Sequence, residues 1–229
     1  MIPIRDENPA TLTPVITVLV LIACVGVFVW QLSLGRANQL AVLSLGLTPK
    51  VLFGLASLPS ELTLVPPVAT VFSSMFLHGS ILHIGSNMLY LWVFGDNVES
   101  ELGHVGFALF YLACGVAAAL AQAIPDPTST VPMIGASGAI SGILGAYMIL
   151  FPTAKVSVLF PPFFFLRPIP LPAVLVLGAW FALQLLASQA APVGEGGGGV
   201  AFRAHIGGFI AGILLLSVFP RRKHRPQAS

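Results

Sequence analysis

Ile134-Gly135-Ala136-Ser137-Gly138-Ala139-Ile140-Ser141-Gly142 sets a serine between glycines at the head of a short apolar segment. A serine in such a place is either packing filler or a nucleophile, and its surroundings must decide. The surroundings are apolar. Of 229 residues, 56% are hydrophobic and 8% charged, and the mean hydropathy is +0.95. A soluble domain carries about 25% charged residues, so the chain cannot coat a water-facing surface and lipid is its expected solvent. The net charge of +2 is small and the cations are scattered except at the C-terminus, which argues against nucleic acid as a partner. Cys24 and Cys114 fall inside apolar runs and read as small core residues.

Working outward from the quoted stretch, the spacing predicts an all-α polytopic membrane protein, a bundle of six transmembrane helices. The spans lie at about 15–34, 80–95, 105–124, 137–151, 171–188 and 203–219. The first is long enough to cross about 30 Å of hydrocarbon and too long for a signal core, so it reads as retained. Residues 35–74, rich in proline, read as interfacial turns. The acids Asp96, Glu99 and Glu101 read as a solvated end of the second span, and the Pro-rich stretch 152–170 as a plain return. A Gly-rich run at 194–199 leads into the sixth span. Residues 1–14 form a short N-terminus and 220–229 a basic tail. With six spans, Arg5, Lys155, Arg167, Arg221, Arg222, Lys223 and Arg225 share one side, against Arg36, Lys50 and Arg203 on the other. The positive-inside rule then places both termini in the cytoplasm.

Spans two, four and six run in the same direction, and each is polar near its start: His83 and Asn87, Ser137, and His205. Polar groups at that depth are costly and mark functional cavities. The fourth span, about 22 Å long at 1.5 Å per residue, is too short to cross, which sinks Ser137 below the surface. Irregular backbone there is tolerable only beside protein or a water-filled cavity. Small residues stripe both helices: Ser137, Ser141 and Gly145 with Gly138 and Gly142 beside them, and His205, Gly208 and Gly212 with Ala204. Such faces let backbones approach closely. Packing glue alone explains small stripes. A serine heading one and a histidine heading the other points further, to a nucleophile and its general base. No carboxylate lies at the right depth, so a Ser–His dyad is the economical reading. His83 and Asn87, four apart and hence on one helical face, can join the Ser137 backbone N–H as oxyanion donors, though an interhelical hydrogen bond is the bland alternative. His78 reads as structural support, and His104 and His224 as exposed. Trp92 and Trp180 read as apolar bulk. The acids and cysteines lack metal-ligand spacing, and no cofactor is implied.

His78-Gly79-Ser80-Ile81-Leu82-His83 with Asn87, Gly135-Ala136-Ser137-Gly138, and Ala204-His205-Ile206-Gly207-Gly208-Phe209 with Gly212 occur in that order on spans two, four and six. In this the chain resembles the rhomboid family of intramembrane serine proteases. The resemblance implies cleavage of single-pass membrane proteins at or within their transmembrane helix. It makes Ser137 the nucleophile, His205 the base, His83 and Asn87 oxyanion donors and Gly135 the glycine heading the motif. It also implies a gate built from the fifth span and the loop 194–199. Two places depart from the family pattern. Ala69 and Thr70 stand where many members have Trp-Arg, and Ser141 stands where some have an aromatic that stacks on the base. Another contact must then orient His205. A six-span core without added domains suggests a prokaryotic inner-membrane type rather than a mitochondrial one, with its site towards the extracytoplasmic leaflet. A non-catalytic relative that escorts helices usually lacks the serine or the base, and this chain has both. A transporter would be expected to show repeats and intramembrane acids.

Overall fold

A computed structural model describes residues 1–160, 167–190 and 201–222. Strand β1 (Ile2–Asp6) comes first, then helix α1 (Val15–Ser33). The connection holds three short helices, α2 (Asn38–Leu45), α3 (Pro49–Leu52) and α4 (Thr70–Ser73). Helix α5 (Ile81–Ala123) is broken at Gly103, whose φ of 72° and ψ of 166° leave the helical region and divide it into arms 81–102 and 104–123. Helices α6 (Ser137–Leu150), α7 (Ala173–Ala190) and α8 (Phe202–Leu215) follow, with strands β2 (Lys155–Leu159) and β3 (Ile169–Pro172) between α6 and α7. The loop 194–199 and the tail beyond Arg222 lie outside the described residues. Helices α1 and α5 are long and apolar enough to cross a membrane, whereas α6, α7 and α8 are shorter apolar helices.

Helix α6 is the axis. Every residue from Gly138 to Tyr147 is buried, and α5 and α8 pack against it. Glycine makes this possible. A Cβ on Gly208 would overlap the Gly138 carbonyl oxygen, and one on Gly212 the Gly142 carbonyl oxygen. Gly145 meets the Phe209 carbonyl, and Gly142 meets Cys114 of α5. Backbone therefore lies on backbone, the arrangement that substitutes for a hydrophobic drive in lipid. The direct contacts from α6 are made by Gly138, Gly142 and Gly145, with Ser137 and Ser141 flanking.

Two expectations need correction. The chain is mostly helical but not all-α: β1, β2 and β3 form an antiparallel sheet in that order, with Pro3 opposite Val158 and Pro170 opposite Ser157. The stretch 152–170 is therefore more than a plain return. Pro170 and Pro172 are tolerated because β3 is an edge strand, where a missing N–H on the open side costs no ladder bond. The acidic cluster is not a solvated end either. The arm 81–102 carries straight on through it, and Glu99 is fully buried. Its carboxylate accepts the backbone N–H groups of Ile16 and Thr17, each at 2.8 Å, and the Thr17 hydroxyl at 2.7 Å. These are orphan donors at the start of α1, whose own cap, Pro14, makes no side-chain bond. A carboxylate there satisfies the donors and the positive end of the helix dipole together. His104 Nδ1 lies 2.6 Å from the same carboxylate, so this half-exposed ring is engaged.

Candidate active site

Ser137 is the first helical residue of α6, so its backbone N–H has no partner within the helix. The preceding turn is held from two sides. Met133 and Leu47 exchange backbone hydrogen bonds, and Gly135 N–H donates to the Ser74 carbonyl at 2.8 Å. Gly135 adopts φ +123°, a conformation that L side chains rarely take. Its missing side chain leaves room for a neighbour: the point where a Cβ would sit is 2.7 Å from His83 Nε2 and 3.7 Å from Ser137 Oγ. The geometry thus brings Gly135, His83 and Ser137 to one spot. A cavity of about 20 Å³, room for a single water, adjoins it and is lined by Ser137, Gly135, Ser74 and Ala204 among others.

His83 is tethered through its other nitrogen. Ser80 caps the start of α5 by accepting the His83 backbone N–H at 3.1 Å, and Gly79 N–H donates to His83 Nδ1 at 3.4 Å. An accepting Nδ1 leaves the proton on Nε2, which faces Gly135. Asn87, one turn along the same face, is buried, and its Nδ2 has no hydrogen-bond partner among the described residues. A buried unpaired donor is costly and needs a reason.

His78 is also buried, with its ring edge-on to His83 at 5.1 Å between centroids. Burial first, and the neighbouring His83 second, pull its pKa down to about 4, against the Phe76 carbonyl, which favours the protonated ring. It is therefore neutral near pH 7, a packing support for His83.

His205 is buried near the start of α8. The close approach of Gly208 to Gly138 carries this end of α8 onto the head of α6, with the Ala204 carbonyl 3.8 Å from where a Cβ on Gly138 would lie. No hydrogen bond joins His205 to Ser137 Oγ among the described residues. Instead His205 Nδ1 lies 2.7 Å from Gln184 Oε1 of α7, and the Trp180 ring sits 5.8 Å from its centroid, tilted by 36°. Ser141 takes no part in holding that ring, since its hydroxyl donates to the Ser137 carbonyl at 2.6 Å. Trp180, expected to be mere bulk, covers the histidine.

Sequence reasoning passed over three glutamines in apolar helices. Gln31 of α1 accepts the His78 backbone N–H at 2.9 Å. Gln122 of α5 accepts the Ala204 N–H at 3.2 Å, filling in for the missing cap of α8 beside His205. Gln184 meets the His205 ring. Each serves a site histidine or its neighbour. The signal was available, because an amide inside an apolar span is as costly as a histidine there.

The rhomboid domain model matches residues 67–222. Rhomboid protein 1, mitochondrial, of Saccharomyces cerevisiae is 32% identical over 170 residues, which cover 70% of this chain and 46% of that protein. Rhomboid-like protein 11, chloroplastic, of Arabidopsis thaliana is 32% identical over 159 residues, 65% of this chain and 52% of that one. Rhomboid protease GluP of Bacillus subtilis is 40% identical over 78 residues, 34% of this chain and 15% of that protein. The chain spans about half the length of the first two relatives. Their organellar names give no support to the expectation of a prokaryotic rather than a mitochondrial type. A domain match that takes in the glycine-headed motif, both site helices and the two histidines leads to one conclusion: this chain belongs to the rhomboid family.

Proposed function

We propose that the protein is an intramembrane serine endopeptidase that hydrolyses peptide bonds in or near the transmembrane helices of single-pass membrane proteins. The observation that carries this reading is the convergence of Ser137 Oγ and His83 Nε2 at Gly135, on a helix head packed against α8. Neutral His205 takes the Ser137 hydroxyl proton as the oxygen attacks a substrate carbonyl carbon. The negative charge that develops is received by the Ser137 N–H, His83 Nε2–H and the unpaired Asn87 Nδ2. His205 then returns the proton to the leaving amine. A water activated by the same ring hydrolyses the acyl-serine. An intact helix engages its own peptide groups, so a substrate must unwind locally before its carbonyl is reachable.

The helices α1, α6, α7 and α8 and the two arms of α5 fall on the six expected spans. That agreement supports a six-span membrane bundle with lipid as its solvent. The bias of Lys and Arg supports both termini in the cytoplasm and a site towards the opposite leaflet. The unmade Ser137–His205 hydrogen bond favours a second reading, a rhomboid-like protein that binds transmembrane helices without cutting them.

Reconstitution in lipid vesicles with a generic single-pass substrate separates the two. The parent should cleave, and Ser137→Ala and His205→Ala should each lower the rate by at least about 10³-fold. A parent that does not cleave, and whose Ser137 is not labelled by a serine-directed phosphonate, would favour the binding role.

A further inference from the structure

The dyad reading leaves a physical problem, because a neutral imidazole has two tautomers and only one can serve as base. A ring with its proton on Nε2 offers no lone pair to the Ser137 hydroxyl. His205 is buried, with 8% of its surface exposed, so bulk water is not at hand to select the form. In a serine hydrolase with a full triad a carboxylate does this. Here the partner of Nδ1 is the Gln184 side-chain oxygen, at 2.7 Å.

We propose that Gln184 is a positioning residue for His205, holding the Nδ1-protonated tautomer so that the Nε2 lone pair is free for the Ser137 proton. The proposal rests on the endopeptidase reading above. Three features of the fold converge on it. An amide oxygen only accepts, so a ring nitrogen bonded to it must be the donor. Trp180 lies one helical turn from Gln184, hence on the same face of α7, and its ring meets His205 at 5.8 Å. The Phe202 ring stands edge-on to His205, at 87° and 6.5 Å. The imidazole is thus hydrogen-bonded at one nitrogen and bounded by two aromatic rings. Gln184 and Trp180 together supply from α7 the orientation that Ser141 of α6 cannot. A neutral partner also differs from a carboxylate in adding no charge to the buried site.

The experiment compares the parent with Gln184→Leu, which cannot accept a hydrogen bond, and Gln184→Glu, which can. Each is reconstituted in vesicles with a single-pass substrate, kcat and KM are measured separately, and isotope-labelled histidine reports the His205 tautomer by NMR. Gln184→Leu should lower kcat about 10- to 100-fold, less than the about 10⁴-fold cost of enforcing the wrong tautomer. KM should stay within about twofold, since no substrate contact is removed. The NMR signals should change from Nδ1-protonated to a mixture. Gln184→Glu should keep kcat within about tenfold of the parent. A parental kcat in Gln184→Leu overturns the proposal, as does an Nε2-protonated parent. An inactive parent overturns the endopeptidase reading instead, and the tautomer signal still decides what Gln184 does.

Discussion

Gly135 shows how finely the site is built at the scale of one residue. Its φ of +123° strains any L side chain, and the position of a Cβ lies 2.7 Å from His83 Nε2. Alanine there must push the His83 ring away or distort the turn that starts α6, at a cost of about 1–3 kcal/mol. Gly135→Ala should therefore cut cleavage at least about tenfold while the protein still folds, as read by vesicle cleavage alongside thermal unfolding. Parental cleavage would show that the contact is not part of the site. Ser137, His205 and His83 stood out in the sequence because each is chemically conspicuous among apolar neighbours. Gln184, Gln122 and Gln31 were equally polar but gave no motif. Their roles depend on which helix lies alongside, information that one strand of spacing does not contain.

At the scale of an element, the clearest case is the anchoring of α1. Glu99 closes its first turn from 82 or more residues away, accepting two backbone N–H groups and the Thr17 hydroxyl. Removing the acceptor strands those donors in a buried place. Glu99→Ala should destabilise the protein by about 2–4 kcal/mol, seen as a lowered Tm in detergent micelles. An unchanged Tm would mean that α1 docks through its apolar face alone. Hydropathy placed α1 and the second arm of α5 to within about a residue, but ended the first arm at 95, seven residues before the observed 102. It misjudged the acids between the arms, because a charged cluster at a span end is usually wet, and only the neighbouring helix start makes burial affordable. Gly103 was not singled out, yet its positive φ is what lets the two arms separate.

For the whole molecule, the small sheet ties the N-terminus to the helical core. Asp6 of β1 accepts from the Tyr147 hydroxyl of α6 at 2.5 Å and from Asn97 Nδ2 of α5 at 2.9 Å. Burial raises the Asp6 pKa above its ordinary value of 3.8, with the Tyr147 hydrogen bond opposing. The fold thus prefers the protonated carboxyl. That preference is fully present below 3.8 and is lost as pH rises through the raised folded value. Asp6→Asn should accordingly gain Tm relative to the parent on going from acidic to neutral pH, in paired thermal scans. Parallel pH slopes for the two proteins would show that Asp6 titrates as if solvated. The sequence by itself determined what depends on solvent and spacing: a lipid-soluble helical chain, the place of each apolar helix, and the serine and histidines that lead them. Only the tertiary structure decided which groups meet. It alone put a glutamine rather than a carboxylate on His205, buried Glu99 under α1 and paired proline-bearing edge strands, because a contact between distant segments is a property of packing and not of local pattern.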